Sequence, residues 1–245
     1  MKKLISVLMA ILLVTTSFIA CSSSAKNSNK LIMATNAEFP PYEYKENNEF
    51  VGIDIEIAKY ICEKAGKELE VLDIAFDSII PSVNSGKADM GLAGMTVTED
   101  RKQNVDFSDT YMTAVQAVIL TENSPIKSID DMRNKIIGVQ TGTTGDMYCT
   151  DDYGDANIKR YNKIADGVQA LKSGTIDCCV VDDEVAKNLI AQNSGLKLLD
   201  TPYAEEEYAI AVKKGNTELL NMINEALNEM KGNGTLGEIK SKFIN

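Results

Sequence analysis

The 245-residue sequence contains no histidine and no tryptophan. Because the imidazole ring is the usual general base and the commonest metal ligand, its absence excludes histidine-based triads and metal sites. The 25 lysines and arginines are outnumbered by 36 acidic residues, which gives a formal net charge of −11. Binding of nucleic acid needs clustered positive charge, so we predict that this chain does not bind it. The acidic excess does not indicate a cationic ligand, since net charge affects solubility rather than one site.

The five cysteines include no CxxC pair, which argues against a zinc ribbon or a thioredoxin-like redox site. We predict that Cys62, Cys178 and Cys179 are small buried hydrophobic side chains. The sequence leaves open whether Cys149 forms a disulfide, which an oxidising compartment would permit. No metal and no cofactor are predicted.

The amino terminus has the pattern of an export signal. Lys2 and Lys3 precede an apolar run over residues 4–14, so residues 1–20 are predicted to be a signal peptide. Residues 17–21 (SFIAC) resemble a bacterial lipobox, although Phe18 stands where leucine is usual, and this resemblance implies a lipid on Cys21. The alternative is an uncleaved anchor, but the run is short for a membrane span. Residues 21–29 (CSSSAKNSN) are predicted to be a polar tether.

The first hundred residues alternate between strand and helix patterns. Strands are predicted over 30–35, 69–75 and 87–94, and a helix follows an alternating segment that begins at Gly52. A second helix is predicted from Asp77 to its stop at Gly86. Such alternation indicates an α/β fold with a mainly parallel sheet and helices on both faces.

The pattern changes at residues 111–120 (YMTAVQAVIL), one long extended run that suits a crossing between two lobes. Further strand and helix patterns then alternate, and residues 206–213 form a late strand that suits a second crossing. An amphipathic helix over 217–230 and a last short helix near Phe243 end the chain.

Residues 94–101 (GMTVTEDR) contain the clearest candidate for a binding site. Thr96 or Thr98 can cap a helix that begins at Glu99, which places Arg101 in its first turn. A guanidinium beside free backbone N–H groups makes a pocket for a carboxylate. The alternative is a surface arginine that pairs with Glu99 or Asp100.

Several ordered blocks surround this segment: GIDIEIAKYICEKA, FDSIIPSV, GKAD, AGMTVT, VDFSDTY, IGVQTGTTGD and IDCCVVDD. Together with Arg101 they resemble the extracytoplasmic amino-acid-binding proteins of ABC importers, solute-binding protein family 3, in lipoprotein form. The resemblance implies a two-lobe periplasmic-binding-protein fold with two crossover strands. Lobe 1 is expected over 30–112 plus 208–245 and lobe 2 over 113–207. It also implies a monomer that docks on a membrane permease at the outer face of the cytoplasmic membrane.

The resemblance also implies a set of ligand contacts. Arg101, Thr96 and the Thr144 N–H are expected at the ligand carboxylate, and Asp182 and the Gly94 carbonyl at its ammonium. The side chain is expected between two phenylalanines, with two amides at its far end; these four residues are Phe39, Phe76, Asn36 and Gln140. Asn36 departs from the aspartate of some members, so a polar amino acid is predicted without a definite charge. Closure of the lobes on the ligand is the expected mechanism.

Two alternatives to a binding protein remain open. Relatives on this scaffold include dehydratases of cyclic carboxylic acids, which would need a spare acid in the cleft, with Glu38 or Asp183 the first suspects. A ligand-sensing domain is the other. The lipid tether and the pairing of Arg101 with Asp182 favour the binding protein.

Overall fold

The computed structural model describes residues 29–244. The predicted signal peptide, the lipidation site Cys21 and nearly all of the tether lie outside these residues. None of the helices in the described part is long and apolar enough to cross a membrane.

The described chain forms fourteen strands, eight α-helices and three short 3-10 helices. The strands are β1 (Lys30–Thr35), β2 (Glu38–Phe39), β3 (Glu43–Glu46), β4 (Glu49–Val51), β5 (Glu68–Asp73), β6 (Met90–Gly91), β7 (Val105–Phe107), β8 (Met112–Thr121), β9 (Ile137–Gln140), β10 (Ile158–Tyr161), β11 (Cys178–Asp182), β12 (Leu196–Leu198), β13 (Ala204–Tyr208) and β14 (Ala211–Lys213). The α-helices are α1 (Ile53–Lys64), α2 (Ile79–Ser85), α3 (Glu99–Lys102), α4 (Thr144–Tyr153), α5 (Ile164–Lys172), α6 (Asp183–Gln192), α7 (Thr217–Gly232) and α8 (Thr235–Phe243). The 3-10 helices are Phe76–Ser78, Ile129–Met132 and Asp155–Asn157.

Two main sheets organise the molecule, and β2, β3 and β4 form a third, smaller sheet. The first main sheet has the order β5–β1–β6–β14–β7, and the second has the order β10–β9–β11–β8–β12, with β13 also paired to β8. We call the parts built on these two sheets the first and second lobes. Each lobe packs helices against its sheet, for example α1 against β5 and α5 against β9.

Both main sheets are mixed, where the sequence predicted mainly parallel ones. β1 is parallel to β5 and β6, and β9 is parallel to β10 and β11. β14 is antiparallel to β6 and β7, and β8 is antiparallel to β11, β12 and β13. The antiparallel strands β8 and β14 are those that the chain forms directly after passing from one sheet to the other.

The two crossings run side by side between β7 and β8 and between β13 and β14. The Ser108 N–H donates to the Ile210 carbonyl (2.9 Å), and the Tyr111 N–H donates to the Tyr208 carbonyl (2.9 Å). Paired backbone segments of this kind make a narrow connection about which two lobes can rotate. The lobe boundaries at 112/113 and 207/208 remain predictions.

Helix α1 begins at Ile53, directly after Gly52, instead of following an alternating strand. The Ile53 N–H donates to the Pro41 carbonyl (3.1 Å) and the Asp54 N–H to the Tyr42 carbonyl (2.9 Å), so a distant loop satisfies the first helical donors. Gly52 has φ +126°, and a Cβ there would lie 2.2 Å from the Tyr42 oxygen. This tertiary contact explains why the local alternation misled the prediction.

Two other local predictions changed. The strand predicted over 87–94 is only the two-residue β6, and the chain turns beyond it at Gly94, with φ +51°. Asp77 lies inside a 3-10 helix and does not cap α2, whose N-cap is Ser78. Gly86 ends α2 in the left-handed conformation (φ +76°), as predicted.

All four cysteines of the described chain are buried free thiols: Cys62, Cys149, Cys178 and Cys179. The adjacent Cys178 and Cys179 belong to different hydrophobic clusters, as expected for neighbours on a strand. Burial raises the pKa of the Cys149 and Cys179 thiols to about 12. The prediction of buried hydrophobic cysteines is confirmed, and Cys149 forms no disulfide with the other three.

Candidate ligand-binding site

A narrow cavity lies between the lobes and is lined by residues of both. All nine residues predicted to contact a ligand line it: Asn36, Phe39, Phe76, Gly94, Thr96, Arg101, Gln140, Thr144 and Asp182. Seven further residues complete the lining: Glu43, Ala93, Gln116, Thr143, Val180, Val181 and Tyr208. Most of the predicted set follows the carboxyl ends of strands, where ligand sites of α/β sheets are found.

Arg101 stands at one end of the cavity and is 6% exposed. The backbone N–H of Arg101 donates a hydrogen bond to the Thr98 side chain (3.2 Å), and this cap fixes the start of α3. Its Nη1 donates to the Thr96 carbonyl (2.8 Å) and its Nη2 to the Gly142 carbonyl of the second lobe (3.1 Å). The guanidinium carbon lies 5.3 Å from the centre of the Phe76 ring. These contacts hold the guanidinium against the cavity with donor capacity left for a ligand.

The surface interpretation of Arg101 does not hold. Glu99 pairs with Lys102 (2.9 Å) instead, and Arg101 is buried. Burial lowers the pKa of Arg101, and the negative charge of Glu206 opposes that shift. A buried cation whose hydrogen bonds go to carbonyl groups is suited to receive an anion.

Thr96 and Thr144 meet beside Arg101, from opposite lobes. Their Oγ1 atoms are 3.4 Å apart, and the Thr96 hydroxyl donates to Glu206 Oε2 (3.0 Å). Gln116 Nε2 donates to the same carboxylate oxygen (2.9 Å). Thr144 is the first residue of α4, so backbone N–H groups and the positive end of the helix dipole face this region.

Asp182 lies at the other polar end and is fully buried. Its Oδ2 accepts from the hydroxyls of Tyr42 (3.1 Å) and Tyr208 (2.7 Å). Its Oδ1 accepts from the N–H groups of Glu184 (2.9 Å) and Val185 (3.1 Å), so it also caps α6. One carboxylate thereby joins both lobes and starts a helix.

Burial raises the pKa of Asp182 to about 7, while its hydrogen bonds with Tyr208, Val185 and Tyr42 act in the opposite direction. The neighbouring acid, Asp183, pairs with Lys187 (2.8 Å).

A second pair of buried acids lies near this end of the cavity. Asp54 Oδ2 accepts from the Gly94 N–H (2.9 Å) and from the Tyr111 hydroxyl (2.9 Å). Burial raises the pKa of Asp54 to about 6 and the pKa of Glu43 well above its ordinary value. Asp54 therefore holds the backbone at Gly94, whose carbonyl is expected to bind the ligand ammonium. Sequence reasoning missed both acids, although an aspartate within the apolar run GIDIEI was a usable signal.

The far end of the cavity carries two amides from opposite lobes. Gln140 Nε2 donates to Asn36 Oδ1 (2.8 Å) and to the Asn162 carbonyl (3.1 Å), which uses both of its protons. Asn36 Nδ2 donates to the Ile74 carbonyl (3.0 Å). What Gln140 still offers to a ligand is its Oε1, a hydrogen-bond acceptor.

Each of the two predicted aromatic walls has another partner in the structure. The Phe39 ring stacks on Tyr42 with centroids 5.9 Å apart, and Phe76 lies against the Arg101 guanidinium. Both rings line the cavity, so a ligand side chain between them would contact their remaining surfaces.

The structure is a closed form, as shown by several hydrogen bonds and one ion pair that cross the cleft between the lobes. The crossing pairs are Arg101–Gly142, Asn36–Gln140, Tyr42–Asp182 and Glu38–Lys163.

The model of the bacterial extracellular solute-binding proteins, family 3, matches residues 31–245. The chain belongs to this family. The arginine-binding extracellular protein ArtP of Bacillus subtilis (strain 168) is 39% identical over 100% of this chain and 98% of its own length. ABC transporter arginine-binding protein 1 of Escherichia coli (strain K12) is 32% identical over 100% and 99%. An ancestral arginine-binding protein bound to arginine is 42% identical, with a TM-score of 0.84 over 89% of this chain and 99% of that one.

This likeness confirms the two-lobe α/β fold predicted for the solute-binding protein. Family membership also makes it an extracellular type of protein, in agreement with the predicted export. The relatives are binding proteins named for amino acids, and none of those compared above is an enzyme.

Proposed function

We propose that this solute-binding protein captures a free L-amino acid in the interlobe cavity and delivers it to an ABC importer. L-arginine is the first candidate among polar amino acids. The similarity to arginine-binding relatives supports this assignment, as does the chemistry of the cavity.

The two ends of the cavity match the two charges of an amino acid. Arg101 and the amino terminus of α4 provide donors for a carboxylate, and Asp182 with the Gly94 carbonyl provides acceptors for an ammonium. Arg101 and Asp182 belong to different lobes, so a bound zwitterion would bridge them. Closure is then favoured to the extent that the ligand binds the closed form better than the open form.

The free Oε1 acceptor of Gln140 indicates which ligand side chain fits this end of the cavity. A guanidinium has donors only, so it complements Gln140 Oε1. A glutamine carboxamide also needs a donor for its oxygen; both Nε2 protons of Gln140 are already used, which leaves only the second Nδ2 proton of Asn36 for it. A planar guanidinium also packs well on an aromatic face such as that of Phe39. Asn36 is therefore compatible with a cationic side chain even though it is not an acid.

Isothermal titration of the purified protein with L-arginine, L-lysine, L-histidine, L-glutamine and L-cystine tests the proposal. The protein is first unfolded and refolded to remove carried-over ligand. We expect L-arginine to bind, and Arg101→Ala to weaken it roughly 100-fold, the order of a lost buried charge contact. Arg133 is an exposed arginine of the second lobe, so Arg133→Ala is the matched control. Unchanged affinity in Arg101→Ala would reject the site.

The anchoring of the protein is a separate part of the proposal. We propose that residues 1–20 are a signal peptide that is cleaved, and that Cys21 then carries a lipid. This lipid would hold the protein, as a monomer, at the outer face of the cytoplasmic membrane. Metabolic labelling with a lipid precursor should mark the wild type and a Cys62→Ala control. Label that persists in Cys21→Ala would contradict this placement.

The enzymatic alternative gains no support from the two suspected acids. Neither Glu38 nor Asp183 lines the cavity, and they pair with Lys163 and Lys187 respectively. We propose that the protein has no catalytic activity. A prephenate-like substrate incubated with the protein should remain unconverted, and measurable turnover of that substrate would reverse this conclusion.

A further inference from the structure

Strand β13 carries one side chain to each polar end of the cavity. Glu206 and Tyr208 are buried and lie two residues apart, on the same face of the strand, whereas Glu205 and Glu207 are exposed. Tyr208 contacts Asp182 at the ammonium end (2.7 Å), and Glu206 contacts Thr96 at the carboxylate end (3.0 Å). A buried carboxylate thus stands behind the place where the ligand is expected to put its own carboxylate.

The two oxygens of Glu206 have different surroundings. Oε2 accepts from Thr96 Oγ1 (3.0 Å) and Gln116 Nε2 (2.9 Å), and both of these residues line the cavity. Oε1 is buried and accepts no well-formed hydrogen bond among residues 29–244, although burial, together with the Glu206 carboxylate close to its hydroxyl, raises the pKa of Tyr148. Arg101 donates to carbonyl groups instead, so Glu206 acts on the guanidinium through its charge and not through a direct hydrogen bond.

The bond between Thr96 and Glu206 restricts what Thr96 can offer to a ligand. A threonine hydroxyl has a single proton, and here that proton points to Glu206 Oε2. Towards the cavity, Thr96 Oγ1 therefore presents lone pairs, which do not bind a carboxylate. The negative charge of Glu206 also repels the ligand carboxylate, and it partly offsets the positive charge of Arg101 before a ligand arrives.

We propose that Glu206 is a residue that limits affinity: a resident carboxylate that holds the Thr96 proton and weakens the grip of Arg101 on the ligand carboxylate. This inference rests on the proposed function. A protein that must release its cargo to a transporter benefits from such a counter-charge, because binding energy retained in the closed state opposes delivery.

The test compares L-arginine with L-argininamide, which has the same side chain and ammonium but no carboxylate charge. Glu206→Gln keeps the size of the side chain and removes its charge. We expect it to raise the affinity for L-arginine, and to raise the ratio of the L-arginine affinity to the L-argininamide affinity roughly tenfold, because the charge of Glu206 acts on the ammonium and guanidinium of both ligands but repels a carboxylate only in L-arginine. Glu206→Asp keeps the charge and should therefore keep the wild-type ratio of the two affinities. Glu207 lies on the exposed face of the strand, so Glu207→Gln should change neither the L-arginine nor the L-argininamide affinity.

Titration calorimetry of the full set, with thermal unfolding as a check of folding, separates the outcomes. An equal change for both ligands in Glu206→Gln, or weaker binding of L-arginine, would overturn the inference. If Glu206→Gln did not fold, loss of the wild-type ratio in Glu206→Asp would overturn it. A wild type that binds no amino acid would reject the proposed function itself, and that titration is read first.

Discussion

Acidification is expected to weaken ligand binding through Asp182. This carboxylate is fully buried and holds two hydroxyls and two backbone N–H groups, and burial raises its pKa to about 7. The ligand ammonium binds the ionised form, which dominates above pH 7. Below pH 7 a proton must leave Asp182 before the ammonium can bind, so affinity falls as the pH falls.

The magnitude follows from that pKa. A single group with a pKa of about 7 multiplies the dissociation constant by 1 + 10^(7 − pH), which is about 1.1 at pH 8, about 2 at pH 7 and about 100 at pH 5. At pH 6 the binding of one ligand should release about 0.9 proton. For folding of the unliganded protein the sign is opposite: between the ordinary pKa of aspartate and 7 the native state binds more protons than the unfolded state, so stability decreases as the pH rises through that range.

Titration calorimetry with L-arginine between pH 8 and pH 5, in buffers of different ionisation enthalpy, measures both quantities. Asp182→Asn should bind weakly at pH 8 and lose most of the pH dependence. Asp200 is exposed in the same lobe, so Asp200→Asn should follow the wild type. Asp54, with a pKa raised to about 6, is the second acid that can contribute, and only at lower pH.

A dissociation constant that stays flat from pH 8 to pH 5, or no proton release at pH 6, would refute this reasoning. A wild-type slope retained in Asp182→Asn would place the titrating group elsewhere, with Asp54 and Glu43 as the neighbouring acids.

Two further predictions concern the shape of the cavity and its closure. Gly94→Ala should weaken L-arginine binding at least tenfold, because φ is +51° and the new Cβ would lie 3.1 Å from the Tyr208 ring and 3.3 Å from the Phe39 ring. Gly66 also has a positive φ but lies in open space. The control variant Gly66→Ala therefore carries only the backbone cost of about 1 kcal/mol, and the affinity measured by calorimetry should not change. Lys163→Glu should lower the affinity up to about fivefold, as expected for an exposed ion pair, and Lys163→Glu combined with Glu38→Lys should restore it; no recovery in the same assay would show that this pair does not support closure.

Much of the fold and of the candidate site could be predicted from local sequence patterns. Amphipathic periodicity located α7, and the long extended run over residues 111–120 located β8. The segment that caps α3 identified Arg101, whereas the family resemblance identified Asn36 and Asp182. Such residues meet because the ends of neighbouring strands share one edge of a sheet. Their assignment as ligand contacts came from the family resemblance.

Tertiary structure decided the features that depend on residues far apart in the chain. Glu206 lies 110 residues from Thr96 and 90 from Gln116, and Tyr42 lies 140 from Asp182, so no local pattern marks these pairs. They form because the register between β8 and β13 and the closure of the lobes bring the side chains together. Periodicity, capping and turn residues were enough to show which side chains carry the chemistry of each segment. Only the folded chain determined their hydrogen-bond partners and burial, because both depend on how distant segments pack.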